Sequence, residues 1–458
     1  MRLLNFPNRY KWHLILFFGV LFCTSCEKFL DEKPNKSLTV PKTLNELQGL
    51  FNDAARMNLN LTPSYGESSA DDYFVAENTY NSRPTQFQQV YTWSLREYSF
   101  KNDWAANYLP VYNANFALES LENIDRTPQN EHQWNLIKGY ALFWKAYCFL
   151  NLTWQHAKAF DADSSNSDFG IVLRNSSDFN IPSVRSSVKE SYTQLLSNAK
   201  EAVSFLPNTS SHVFLPSKAA CYGLLARAYL SMRIYDSAYK YSNLCLTLKN
   251  DILDYNTLSL SASLPFPRLN NPETIFYTEM NTFNLNHSSA YGFIDTALYS
   301  LYNNRDLRKK GFFRLNGTYF RFKGSYSGNS VILFSGLATD EILLIRAEAN
   351  ARKGAISEAM DDLNALLQKR WDNTFPYITE TATTTEEAVS KVLNERRKEL
   401  LMRGIRWSDI KRLNKEGRSI TPKRVLANQQ YLIMPNENRY ALPLPNDIIN
   451  ITGMPQNP

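Results

Sequence analysis

The sequence predicts a mostly α fold, a tetratricopeptide-repeat-like helical scaffold that carries a large irregular, loop-rich region and a few short strands. Three observations predict it. Nine stretches of the 458 residues repeat apolar side chains three or four positions apart. Two pairs of those stretches place small residues at equal spacing, as closely packed helix pairs require. The stretches between them are rich in Asn, Ser, Tyr and Pro, of which Asn, Ser and Pro favour turns and loops over helices.

The N-terminus comes first. Arg2, Arg9 and Lys11 precede an apolar run over residues 12–22, which is too short to span a bilayer and has the length of a signal-peptide core. Cys23-Thr24-Ser25-Cys26 follows and looks like a bacterial lipobox, so residues 1–25 are expected to be a lipoprotein signal peptide and Cys26 the lipidated residue. A plain secretory signal with an incidental cysteine is the other reading of these residues. No later stretch is long and apolar enough to predict a transmembrane helix, so acyl chains would have to hold the protein, and stable anchoring takes two or more of them. Residues 26–42, with Pro34 and Pro41, are expected to be a tether, and residues 43–458 a single domain.

The expected helices cover 43–56, 105–124, 131–158, 187–205, 216–231, 234–249, 339–353, 356–370 and 384–403. Ser187 with Glu190 three residues on has the spacing of a capping box, and Pro207 stops that helix. Ala226, Tyr229 and Ala238 occupy small, aromatic and small positions of a tetratricopeptide pattern, and Ala347 and Ala359 repeat the 12-residue gap, with Leu363 following. Generic helical hairpins read the same residues equally well. About 90 residues separate the two pairs, so any repeats are dispersed. Residues 57–104, 159–186, 250–338 and 371–383 are the irregular excursions, and alternation with glycine turns over 311–334 suggests short strands. Long excursions from a rigid scaffold are where binding usually resides.

Composition narrows the functional classes. The formal charge is +6, and removing residues 1–25, with three cations and no acid, leaves +3; no dense basic run suggests nucleic acid. Cys148, Cys221 and Cys245 fall inside apolar helical patterns and read as small buried thiols. His132, His156, His212 and His287 are isolated, with no second ligand at helical or turn spacing, so no metal or cofactor is expected. No zinc-protease motif or phosphate-binding glycine loop is present, and Gly324-Ser325-Tyr326-Ser327-Gly328 has Tyr where a nucleophile elbow needs Ser. Carboxylate pairs of glycosidases depend on the fold and stay open at this stage.

Aromatic residues make up 13% of the chain, which is either core filling or a supply of stacking faces for sugars. The candidate ligand residues are Asp71, Asp72, Tyr73, Tyr80 and Trp93, within a cluster that also holds Phe74, Tyr91, Trp104 and Tyr108, and Tyr277 and Tyr291, near Tyr299 and Tyr302. Acids bind hydroxyls and rings stack on sugar faces, while packing accounts for any single member. Asp361-Asp362 reads as a solvated helix face. Glu395-Arg396-Arg397-Lys398-Glu399 reads as a helix face laced by Glu395–Lys398 and Arg396–Glu399 pairs.

Six segments in order resemble one family, the SusD/RagB nutrient-binding outer-membrane lipoproteins of Bacteroidetes. They are Cys26-Glu27-Lys28-Phe29-Leu30-Asp31 with Lys33-Pro34; Trp104, Tyr108, Tyr112 and Asn115; Pro182 and Arg185 through Tyr192, ending at Leu206-Pro207; the repeat helices containing Lys218, Tyr229, Glu341 and Ala349; Glu395 to Leu400 with Gly404, Arg406-Trp407 and Asp409-Ile410-Lys411-Arg412; and Ala441-Leu442-Pro443-Leu444-Pro445 with Gln456-Asn457-Pro458. Two places depart from the pattern. Ala159-Phe160-Asp161 through Gly170-Ile171-Val172 stands where relatives carry Gly-Asp-x-Pro, and Arg403 stands where a second Glu precedes the glycine. The resemblance implies about eight repeat helices in four pairs, an N-terminal part of about 43–215 and a C-terminal part of about 216–458. It also implies a lipid-anchored protein on the outer face of the outer membrane. There it would capture an oligosaccharide or peptide and pass it, as a hinged lid, to a SusC-like TonB-dependent β-barrel, with no catalytic step. A surface glycan hydrolase and a non-binding helical scaffold are the competing readings.

Overall fold

The computed structural model describes residues 41–458, so the expected signal peptide, Cys26 and most of the tether lie outside the described residues. The long helices are α1 (Leu44–Asn52), α2 (Asp103–Leu121), α3 (Glu131–His156), α4 (Val188–Val203), α5 (Lys218–Ser231), α6 (Tyr235–Leu248), α7 (Thr339–Arg352), α8 (Ile356–Gln368), α9 (Thr385–Glu399) and α10 (Arg406–Asn414). Side chains start many of them. Ser187 and Glu190 form the expected capping box of α4, and Thr43 and Glu46 form a second one at α1. The expected helix over 43–56 is broken at Asp53, whose carboxylate accepts the Arg56 N–H and starts a separate short helix, Ala54–Met57. Helix α10 had no expected counterpart.

The eight helices α2 to α9 pack on one another in chain order, each on the next, with α7 also touching α9. The two expected repeat pairs are α5–α6 and α7–α8. Ala226 and Ala238 are buried in the first and Ala347, Ala359 and Leu363 in the second, and Tyr229 stacks on Tyr241 at 5.5 Å. Helix α6 packs directly on α7, so the excursion between them interrupts the chain and leaves the stack intact. The three cysteines are buried and free.

The excursions build a second core. Strand β1 (Tyr73–Val75) from the first pairs with β5 (Gly292–Ile294) from the third, and an isolated bridge joins Thr62 to Met280. Strands β2 (Phe169–Val172) and β3 (Arg185–Ser187) pair, as do β4 (Thr274–Phe276) and β8 (Leu337–Ala338), β6 (Phe313–Asn316) and β7 (Tyr319–Phe322), and β9 (Lys423–Leu426) and β10 (Gln429–Leu432). The β6–β7 hairpin realises the strands expected over 311–334. Tyr73, Tyr91, Tyr255, Phe266, Tyr277, Phe312 and Phe334 are among the residues that fill this core, which is separate from the main helical one. Thr43–Pro458 holds together as one unit.

Buried ion pairs bolt the scaffold to the excursions. The Glu395–Lys398 pair forms at 2.6 Å, but Arg396 and Glu399 do not pair with each other. Arg396 reaches Asp409, and Glu399 receives Arg308 and Arg370, all far from solvent. Arg412 clasps Glu348 with two bonds of 2.7 Å. The charged face of α9 is therefore internal, because its partners come from other segments. The Asp361-Asp362 pair splits likewise: Asp361 is exposed, whereas Asp362 is buried against Arg346.

Candidate functional site

The acidic-aromatic cluster singled out in the sequence is an internal knot. Asp71 accepts a two-pronged bond from Arg406 at 2.6 and 2.8 Å, and Asp72 accepts one from Arg397 at 2.8 Å. Burial disfavours charge on Asp71, yet Arg406 and Arg397 outweigh it and hold the carboxyl well below the usual carboxylate range. Arg424 lies over the rings of Tyr73, Tyr91 and Trp93 at 4.7, 4.5 and 5.2 Å, and donates to the carbonyls of Tyr73 and Ala70. The Tyr73 hydroxyl donates to the Ser68 carbonyl and the Trp93 indole to the Ser69 carbonyl. Asp72, Tyr73 and Trp93 are thus buried with their polar atoms committed. Tyr277 is buried elsewhere in the second core; its hydroxyl donates to Glu279 and accepts from Arg268. Tyr80 and Tyr291 are half-buried, Tyr80 against Tyr91 and Tyr291 beneath the Arg83 guanidinium at 3.7 Å.

What the knot does is hold up a surface. In a strand, alternate side chains point to opposite faces. Tyr73 and Val75 point in, so Phe74 points out; Gly292 and Ile294 point in, so Phe293 points out. The register sets Phe74 directly opposite Phe293, and their rings stack at 5.6 Å. Glycine is required at 292, because a Cβ there would come within 2.7 Å of the Asn286 carbonyl oxygen.

The β6–β7 hairpin adds a third ring. Phe313 and Phe322 face the core, and Phe320 stacks on Tyr299 at 3.9 Å. The opposite parity carries Arg314, Asn316, Tyr319 and Arg321. Tyr319 meets Phe74 edge-on at 4.9 Å and leans on Phe293 at 5.6 Å. Arg321 lies over Phe293 at 4.3 Å, anchored by donation to the Ser289 carbonyl at 2.7 Å and to Asn316 at 3.2 Å. Gly317, with φ of +64°, makes the turn that brings Asn316 back beside Tyr319.

Three rings, two of them half-buried and Tyr319 41% exposed, therefore form a platform on paired strands above a fixed base. Tyr319 stands at 84° to Phe74 and 55° to Phe293, so this surface offers ring faces and edges in different directions, with guanidinium and amide donors beside them. The sequence reading reached Phe74 and stopped at its inward neighbours, and it missed Phe293, Tyr319, Arg314 and Arg321. The signal available for them was the alternation over 311–334. Of the isolated histidines, His132 and His212 are exposed, His156 bonds the carbonyls of Leu442 and Pro443, and His287 bonds the Ser68 hydroxyl at 2.7 Å.

Comparisons with known proteins agree with the fold. Residues 28–230 match a SusD-like family model described as starch-binding and associating with the outer membrane, and residues 338–458 match that of the SusD family. No curated protein sequence matches the chain. Among solved structures, a SusD superfamily protein of Bacteroides thetaiotaomicron is similar with a TM-score of 0.73 at 20% identity, over 91% of this chain and 100% of that one. A SusD superfamily protein of Bacteroides fragilis gives 0.72 at 19%, over 91% and 99%. A SusD-like carbohydrate-binding protein of Bacteroides vulgatus gives 0.66 at 18%, over 90% and 97%. At these identities the likeness is one of fold.

Proposed function

The chain belongs to the SusD/RagB family, and from that premise we propose that it is a cell-surface carbohydrate-binding lipoprotein. The observation that carries the ligand class is the Phe74–Phe293–Tyr319 platform, because ring faces held in one place stack against the apolar faces of sugars. The protein binds an oligosaccharide there and delivers it to a SusC-like TonB-dependent barrel, with no bond made or broken. It is tethered by acyl chains on Cys26 and faces outward from the outer membrane. Its export signal and the family support that address, and no described helix is long and apolar enough to cross a membrane.

Calorimetric titration of the purified mature protein against a panel of oligosaccharides tests the reading. Phe74→Ala and Tyr319→Ala should each weaken binding of the oligosaccharide by about 1–3 kcal/mol, taking over the range found for bases stacked on aromatic side chains. Unchanged affinity in both variants would remove the platform, and turnover of the bound sugar would remove the non-enzymatic role.

A further inference from the structure

The edge of the platform carries a charge arrangement that the fold does not need. Arg314 and Arg321 stand directly opposite each other across the β6–β7 hairpin, on its ligand-facing side. Opposed residues of an antiparallel pair bring their Cβ atoms to about 4.5–5.5 Å, and like charges there are destabilising. Among the described residues neither arginine forms an ion pair, whereas Arg227, Arg308, Arg370, Arg403, Arg406 and Arg412 in the interior do, and buried Arg424, which lacks one, is bonded to the carbonyls of Tyr73 and Ala70 instead. Burial and the Arg314 charge both lower the proton affinity of Arg321, and burial with Lys310 and Arg314 does the same to Lys323. Arg314 and Arg321 therefore face each other across the hairpin with no ion-pair partner among the described residues.

The geometry around Arg321 is that of a receptor. Its ring stacking and its bonds through Nε and Nη1 fix the plane of the guanidinium, and neither bond uses Nη2. Arg314 is exposed and makes no side-chain bond. Nη2 of Arg321 is thus left to donate to a carboxylate or sulfate, and the unbonded guanidinium of Arg314 can bind the same group through two parallel N–H donors. Tyr319 lies on the same face two residues along, so a sugar ring lying against the aromatic cluster would place a ring substituent at the arginine pair.

We propose that the ligand is an acidic oligosaccharide, a chain of uronate or sulfated sugars, whose rings lie against the aromatic cluster at Phe74 and Tyr319 and whose anionic group sits between Arg314 and Arg321. This rests on the platform being the ligand site and adds the charge of the ligand to it.

The probes are tetragalacturonate, a hyaluronan tetrasaccharide and a chondroitin sulfate tetrasaccharide, set against maltotetraose, cellotetraose and xylotetraose. The expected result is binding of at least one acidic probe, with affinity falling as salt rises. Arg314→Gln and Arg321→Gln should each reduce that affinity tenfold or more, and Arg321→Lys should retain part of it. Lys189→Gln, an equal loss of charge at an exposed position of α4, should leave it unchanged. If a neutral tetrasaccharide binds, is weakened by Tyr319→Ala and is indifferent to both arginine variants, the acidic ligand is refuted and the platform stands. If Lys189→Gln weakens an acidic probe as much as Arg314→Gln, attraction is to net charge and the arginine site is refuted. If no probe responds to Tyr319→Ala, the platform falls and the acidic ligand with it.

Discussion

At the residue scale, the same chemical types serve opposite purposes one position apart. Tyr73 is sealed under Arg424 while Phe74 looks outward, because a strand turns each successive side chain over. Residue type was legible in the sequence, and it drew attention to Asp71, Asp72, Tyr73 and Trp93. Their direction was not, since β1 and β5 have three residues each, too few to display a period of two. The arginines that commit the two aspartates, Arg397 and Arg406, lie more than three hundred positions away in the chain. Glu67 belongs to the same neighbourhood. It accepts the Gly404 N–H at 2.8 Å, and burial together with the Asp72 charge raises its carboxyl to about 8. A carboxyl raised in the folded state contributes its full share of stability below the unfolded value of 4.5, and that share is lost as pH rises toward 8. Glu67→Gln has no proton to give up. Its stability relative to the parent should therefore climb by about 1.4 kcal/mol for each unit of pH between these limits. Urea unfolding of both proteins at several pH values checks this, and parallel pH curves would show that Glu67 titrates normally.

At the element scale, helices were the legible part. Periodicity and caps placed eight of the nine expected helices close to their observed bounds, since burying an apolar stripe is a local pattern that one sequence records. The ninth failed at Asp53, where a side-chain cap took over. Helix α10 was missed because Ser408, Asp409, Lys411 and Arg412, which mark a solvated segment by type, are buried beside Trp407 and Ile410, so its nine residues lack the usual division into an apolar and a solvent face. Of the two local pairs expected on α9, Glu395–Lys398 forms, whereas Arg396 and Glu399 reach other segments and make a junction of the molecule. Burial opposes charge on Glu399, but Arg370 and Arg308 prevail and hold it below the usual carboxylate range. Glu399→Ala leaves two interior guanidinia short of a partner, and it should cost about 3–5 kcal/mol of unfolding free energy. Denaturant titration measures that loss, and a change below about 1 kcal/mol, the worth of a surface pair, would mean that the junction is not structural.

At the scale of the whole molecule, the helical stack and the excursions have different relations to the chain. The stack follows sequence order, so it could be read from one end to the other. The aromatic surface needs segments from residues 73–75, 292–294 and 319–322 at once, and nothing local in a single sequence joins them. This division also fits a protein that displays one face to ligand while the scaffold supports it. Tethering through Cys26 implies that Cys26→Ala should leave the membrane fraction and appear in the soluble fraction; retention in the membrane would refute the anchor. The central claim is that three rings from three strands form one carbohydrate platform. Its most direct test is calorimetric titration of the best-binding oligosaccharide into the parent, Phe74→Ala and Tyr319→Ala proteins. The account predicts that both variants keep the parent's unfolding free energy within about 1 kcal/mol while each loses about 1–3 kcal/mol of binding free energy. Parent-like affinity in both folded variants would contradict it.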